Sequence, residues 1–216
     1  MATVPILWTF RRCPYAMRAR LAIQSSGQQV ALREILLKDK PAAFLNVSPK
    51  GTVPVLQDGD NVIEESRDVM LWALQRRDPE GWLNMPADGL SLIDICDGPF
   101  KAALDHTKYA VRFPDLDEAA EREKAMVFLR DLNDRLMGYA FLMGDRRTLA
   151  DMAILPFIRQ FANTDRAWFD AQGLRHLTAW LDDFLNTKRF RGIMVKYPPW
   201  QAGQDQVLFP TSPIKG

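Results

Sequence analysis

Residues 4–23, VPILWTFRRCPYAMRARLAI, decide the fold. Val4 to Phe10 is an apolar run of strand length, ended by Arg11-Arg12. Cys13-Pro14 follows, and from there the pattern turns helical. Proline suits the first helical position, because the N–H it lacks is one the helix leaves unpaired anyway. Cys13 then stands at the cap, among backbone N–H groups and at the positive end of the helix dipole. Both favour a thiolate over a thiol, and such settings bring a cysteine pKa down to roughly 3.5–7.5. Arg11, Arg12 and Arg18 push the same way. The stretch reads as strand, tight loop and helix built around a reactive sulfur. The plainer reading, a buried structural cysteine, fits the charged turn less well.

Outward from this stretch, the helix runs from about Pro14 to Ser26. Ala16, Ala19 and Ile23 share one side, small enough for close approach to a sheet, and Gly27 supplies the stop. Val30 to Leu37 is strand-like, and the intervening helix makes it pair parallel with the first strand. Lys38-Asp39-Lys40-Pro41 ends it and opens a short helix. Asn46 to Gly51 is a loop, Val53 to Leu56 a strand, Asp58 to Asn61 a hairpin turn, and Val62-Ile63 the returning strand. Ser66 is expected to cap the next helix, with Asp68 in its first turn. Residues 1–80 therefore read β-α-β-α-β-β-α, a thioredoxin-like domain. Cys13 lies at the carboxyl end of its first strand, where open α/β sheets bind ligands.

Trp82 to Ala87 reads as a linker. Residues 88–216 carry helical patterns over about 88–112, 117–139, 148–163, 174–187 and 188–196. Gly98-Pro99 is expected to kink or break the first of these. Tyr197-Pro198-Pro199-Trp200 opens a tail expected to drape over the surface of this second, all-helical domain. The fold class is α/β + all-α.

The bulk properties narrow the function. Across 216 residues, 28 Lys+Arg face 27 Asp+Glu. That balance gives no electrostatic case for a nucleic-acid or membrane partner. The cluster Arg11, Arg12, Arg18 and Arg20 is local and better explained by the cysteine beside it. Two cysteines, Cys13 and Cys96, make no disulfide framework and suit a reducing compartment. No basic leader precedes the first apolar run and no stretch is long enough to span a bilayer, so a cytoplasmic protein is expected. Two histidines and no Cys/His cluster argue against a metal site.

Other positions carry two readings each. Val53-Pro54 places a proline in a strand. A cis bond there would leave the Val53 N–H and C=O to pair with an extended peptide, and the alternative is an ordinary edge-strand proline. Glu65-Ser66 at a helix start is suited to an α-amino acid end group: the serine hydroxyl and helix N–H groups take the carboxylate, the glutamate the ammonium. The alternative is a plain cap beside a solvated carboxylate. Lys40 is either a surface lysine or a cation for a second ligand carboxylate. Tyr109 and Phe113, on the helix expected to flank the domain cleft, read as walls of a second pocket, with Tyr15 near the cysteine. Thr148-Leu149-Ala150-Asp151 reads as a structural capping box, and Cys96 as core.

In this order and nearly this spacing, these pieces resemble the cytosolic glutathione transferases, most closely the cysteine-type, omega-like and related bacterial members. The matching segments are Cys13-Pro14-Tyr15-Ala16, Leu37-Lys38-Asp39-Lys40-Pro41, Pro49 to Leu56, Glu65-Ser66 and Thr148 to Asp151. The resemblance implies glutathione as co-substrate and a homodimer. It implies Cys13 as the catalytic residue facing the glutathione sulfur and Val53, beside cis-Pro54, pairing with the cysteinyl backbone. It further implies Glu65 and Ser66 at the γ-glutamyl end and Lys40 at the glycyl carboxylate. Cys13-Pro14-Tyr15-Ala16 also looks like a glutaredoxin motif whose second cysteine is alanine, which implies a monothiol cycle on a small disulfide substrate. Two alternatives stay open: conjugation of glutathione to electrophiles, with Thr9 or Tyr15 as imperfect thiolate stabilisers, and a non-enzymatic glutathione-binding protein.

Overall fold

A computed structural model describes residues 4–211. The chain divides into two compact units: one runs through Gly81 and resumes at Thr187, the other spans Trp82–Asn186.

In the first unit, β1 (Ile6–Thr9), α1 (Pro14–Ser26) and β2 (Val30–Glu34) form the expected βαβ unit, with β1 and β2 parallel in the register Leu7↔Leu32. Then come α2 (Ala42–Val47), β3 (Val55–Asp58), β4 (Asn61–Ile63) and α3 (Ser66–Arg76). β3 pairs antiparallel with both β1 and β4. Leu7, Trp8, Val55 and Leu56 are fully buried, and each such aliphatic side chain contributes about 1.5–3 kcal/mol. α1 starts as its sequence dictates: Cys13 is the cap, Pro14 the first helical residue, and Gly27 ends the helix at φ 70°, its N–H donating to Ile23 O at 3.0 Å. That left-handed conformation suits glycine alone among common residues. α1 packs on α3, and the small side chains Ala16, Ala19 and Ala22 are all buried.

The second unit is helical: α4 (Asp88–Ile95), a π-helical turn (Cys96–Phe100), α5 (Lys101–Lys108), a 3₁₀ turn (Ala110–Arg112), α6 (Glu118–Arg135), α7 (Leu149–Ala162), α8 (Arg166–Asp170) and α9 (Arg175–Leu185). Gly98-Pro99 does not break the first helix; it is absorbed as a π turn, which frees the backbone register that proline cannot serve. The α6 pattern stops at Arg135, short of the expected 139, and α8, capped by Asp165, was not legible as a helix. The Thr148–Asp151 capping box is formed. Asp151 is fully buried and accepts from Leu142 N (2.9 Å), Thr148 N (2.8 Å) and Thr148 Oγ1 (2.9 Å). Its role here is structural.

The expected domain division needs correction at the C-terminus. The chain from Thr187 does not stay with the helical domain of residues 88–216. It returns to the first unit as α10 (Lys188–Ile193), which packs on α1, and as β5 (Val207–Phe209), a fifth strand antiparallel to β2 in the register Ala31↔Leu208. The sheet order is β4-β3-β1-β2-β5. β2 would otherwise present an unpaired edge, and β5 satisfies it. Between these elements, Trp200 N donates to Glu34 O (2.7 Å) and its ring meets Trp8 at 5.1 Å. The Arg33 guanidinium lies 4.7 Å from the Trp8 ring and 4.5 Å from that of Trp200. The tail is part of the sheet's packing.

Candidate active site

One cavity of about 490 Å³ lies wholly within the first unit, lined by Cys13, Tyr15, Leu37, Lys40, Lys50, Gly51, Thr52, Val53, Pro54, Glu64, Glu65 and Ser66. Its size is that of a small-ligand site. The sequence positions singled out in the first half of the chain converge there: Cys13, Tyr15, Lys40, Val53, Pro54, Glu65 and Ser66.

Cys13 is held by its own backbone, its N–H donating to Phe10 O (3.0 Å) and its C=O accepting from Met17 N (2.9 Å). The side chain is half-buried against Trp8, Ala16, Ile35, Phe44, Val53 and Val55. Sγ lies 3.6 Å from Val53 O, within reach of a thiol hydrogen bond. The Val53-Pro54 peptide is cis. The helix N-terminus and the cis-proline loop therefore meet at the sulfur. Ala16, where a dithiol enzyme has its second cysteine, is fully buried.

The cavity lining also carries charge, from Lys40, Lys50, Glu64 and Glu65. Glu65, not Ser66 as expected, occupies the cap position of α3, because helical geometry begins at the serine. Ser66 is the first helical residue and is buried. Lys50 Nζ lies 2.7 Å from Glu65 Oε1, and that hydrogen bond keeps the Lys50 ammonium charged to higher pH. Ser48 Oγ donates to Glu64. Gly51, at φ +64°, lets the loop pass under Lys40: a Cβ there would stand 3.2 Å from Lys40 Nζ. Two ammonium groups and two carboxylates thus face one space, which matches a zwitterionic peptide in charge. Lys50, Gly51 and Glu64 carry no individual signal in the sequence; the fold makes them cavity residues.

Arg12 is exposed and stacks on Phe10 (5.4 Å), and Arg18 stands over the Tyr15 ring (5.8 Å). Arg20, buried on α1, is coupled electrostatically to Cys13. Tyr109 and Phe113 belong to the helical unit. Lys108 and Arg112 stack on the Tyr109 ring, and Phe113 meets His106 at 4.5 Å.

Residues 7–81 match the family model described as glutathione S-transferase, N-terminal domain, and residues 117–183 that of the C-terminal domain. The chain belongs to the glutathione S-transferase family. Among curated proteins it is similar to glutathione S-transferase DHAR2 of Arabidopsis thaliana, 28% identical over 147 residues, 67% of this chain and 64% of that protein. It is also similar to glutathione S-transferase omega-1 of Mus musculus, 25% identical over 166 residues, 71% and 65%. The match thus spans slightly less than two thirds of each of these relatives. A solved family member from Pseudomonas fluorescens, with two glutathione molecules bound, superposes at TM-score 0.75 and 17% identity over 89% of this chain and 93% of its own. Among the described residues, no helix is long and apolar enough to cross a membrane.

Proposed function

We propose that the protein is a glutathione-dependent thiol transferase and deglutathionylating reductase that works through one nucleophilic cysteine. The observation that carries this reading is the position of Cys13: at the cap of α1, with Sγ 3.6 Å from the carbonyl of Val53 beside cis-Pro54, in one cavity with Lys40, Glu65 and Ser66. Relatives of the DHAR and omega types, and a structural neighbour with glutathione bound, support it.

In this reading, Val53 offers its peptide group to the cysteinyl unit of glutathione. An incoming peptide N–H competes with the Cys13 thiol for the Val53 carbonyl, which releases the sulfur as the ligand binds. Glu65 meets the γ-glutamyl ammonium, Ser66 and the α3 N-terminus its carboxylate, and Lys40 the glycyl carboxylate. The Cys13 thiolate attacks the glutathionyl sulfur of a mixed disulfide. A Cys13–glutathione disulfide forms, the S–S bond of the substrate breaks, and the substrate leaves as a thiolate. A second glutathione thiolate then attacks this intermediate on the glutathionyl sulfur, yielding glutathione disulfide and free Cys13 thiolate. Ala16 supplies no resolving sulfur, so the second glutathione is obligatory. Tyr15 lines the same cavity as the sulfur. The family resemblance extends the reading to a cytoplasmic homodimer, which sedimentation of the purified chain tests.

The direct test is turnover of a glutathione mixed disulfide with glutathione. Cys13→Ala abolishes it while Cys96→Ala retains it. Turnover surviving in Cys13→Ala refutes the assignment.

A further inference from the structure

Beneath the Cys13 loop lies a buried pair of charges that the catalytic cycle above does not use. Arg20, on the second turn of α1, and Glu34, at the end of β2, are 1% and 7% exposed. They reach the two polar groups of one peptide residue. Glu34 Oε1 accepts from Arg11 N (2.7 Å), and Arg20 Nη2 donates to Arg11 O (2.6 Å). Arg20 Nη1 donates to the Thr9 hydroxyl, so the same guanidinium ties the end of β1 to the turn that carries Cys13. Arg20 Nε and Glu34 Oε2 are buried without a hydrogen-bond partner. Buried charges that do not bond each other and keep unsatisfied polar atoms are expensive to keep folded. An apolar pair of the same volume serves packing better, so packing alone does not account for it.

Resting on the reading of Cys13 as nucleophile, we propose that Arg20 and Glu34 are positioning residues: together they fix the Arg11 peptide that aims Cys13, and Arg20 supplies the fixed positive charge that holds the sulfur ionised, with Glu34 as its counterweight. Burial brings Arg20 down to about 10, with Glu34 and Cys13 pulling it back up, so it is cationic at neutral pH. Burial likewise pushes the Glu34 carboxyl upward, against the Arg11 N–H and the charges of Arg20 and Arg11. The tail joins this cluster. Tyr197, itself raised by burial, couples electrostatically to both Arg20 and Glu34. The charged and titratable groups on the segments around Cys13 are Arg11 and Arg12 from its loop, Arg18 and Arg20 from α1, Glu34 from β2 and Tyr197 from the tail. Tyr15, Lys40, Lys50, Glu64 and Glu65 line the cavity. Arg20 is buried, and its hydrogen bonds reach the loop.

The test is the pH profile of Cys13 alkylation by iodoacetamide on the full chain without glutathione, read by peptide mass, with circular dichroism to check folding. Arg20→Met moves the midpoint up by about one pH unit, which is about tenfold slower alkylation on the acid limb. Glu34→Gln keeps an acceptor for Arg11 N but removes the negative charge, and moves the midpoint down. Arg20→Lys keeps the charge without the fork and stays within a few tenths of the wild type. A purely structural role predicts that Arg20→Lys fails with Arg20→Met and that Glu34→Gln shifts in the same direction. Either result overturns the proposal, as does an unmoved midpoint in Glu34→Gln. If Arg20→Met does not fold, the opposite behaviour of Arg20→Lys and Glu34→Gln still decides. Thiol transfer by the wild type is scored separately, so absent transfer with shifted midpoints refutes the nucleophile reading alone, and transfer with unshifted midpoints refutes this inference alone.

Discussion

Gly51→Ala is a small change with a readable consequence for the charged lining of the cavity. The residue sits at φ +64°, where a Cβ meets the following carbonyl. Placing alanine there costs about 1–2 kcal/mol of stability, which for a chain of this size lowers Tm by roughly 2–8 °C. The new methyl also stands 3.2 Å from Lys40 Nζ and 3.3 Å from Leu45 Cδ2. Leu45 lies on α2, so the flexible lysine is the group that moves. If Lys40 holds the glycyl carboxylate, displacing it removes one charge-assisted hydrogen bond, worth roughly 1.5–3 kcal/mol, and weakens glutathione binding about tenfold or more. Isothermal titration of glutathione into wild type, Gly51→Ala, Lys40→Ala and the double variant separates the two effects. The double variant should bind as weakly as Lys40→Ala alone, because both changes act on one ammonium. Unchanged affinity in Gly51→Ala with lowered Tm, or fully additive losses in the double variant, refutes the reasoning for Lys40.

Other expectations concern stability and the tail. Asp151→Ala orphans the buried Leu142 and Thr148 N–H groups and should cost about 3 kcal/mol in chemical denaturation; a loss under 1 kcal/mol contradicts the structural role. Burial raises the Asp151 carboxyl above its unfolded value. The stability this group contributes is therefore full below about pH 4, the unfolded pKa, and is lost as pH rises through the folded value. Wild type should thus lose ground to Asp151→Asn between pH 4 and 7 in paired thermal melts; a gap that moves the other way contradicts the sign. Trp200→Ala removes the ring that meets Trp8 edge-on and carries the Arg33 guanidinium over its face and should lower unfolding stability by about 2–3 kcal/mol, with faster amide exchange in β5; an effect confined to the tail, with no global loss, refutes its place in the packing. Ser66→Ala should raise the KM for glutathione roughly tenfold by removing a buried hydroxyl from a carboxylate, with little change in the maximal rate.

The strand, cysteine cap and hairpin were legible because each is written in adjacent residues: Cys13-Pro14 marks a helix start, Gly27 its stop, and Asp58 to Asn61 a turn. The cis bond at Val53-Pro54 was visible as a possibility because proline in a strand demands a special site. The tail strand was not legible. Val207-Leu208-Phe209 is three residues long, and what makes it a strand is the open edge of β2, where Ala31 pairs with Leu208 across 177 residues of chain. Arg20 and Glu34 were hidden for the same reason. In the sequence, Arg20 is one more charge beside the cysteine, and Glu34 an ordinary polar residue in a strand. Their common contact, the Arg11 peptide, exists only after β1, α1 and β2 have come together. At Gly98-Pro99 the local signature marks an irregularity without deciding between a stop and a π turn, and packing chooses between them.

The central claim is that Cys13 becomes covalently joined to glutathione during turnover. Intact-mass analysis after brief exposure to glutathione disulfide tests it most directly. The account predicts one glutathionyl adduct per chain, mapped to Cys13 and removed by excess glutathione. A chain that turns over substrate with Cys13 unmodified, or that carries its adduct on Cys96, contradicts it.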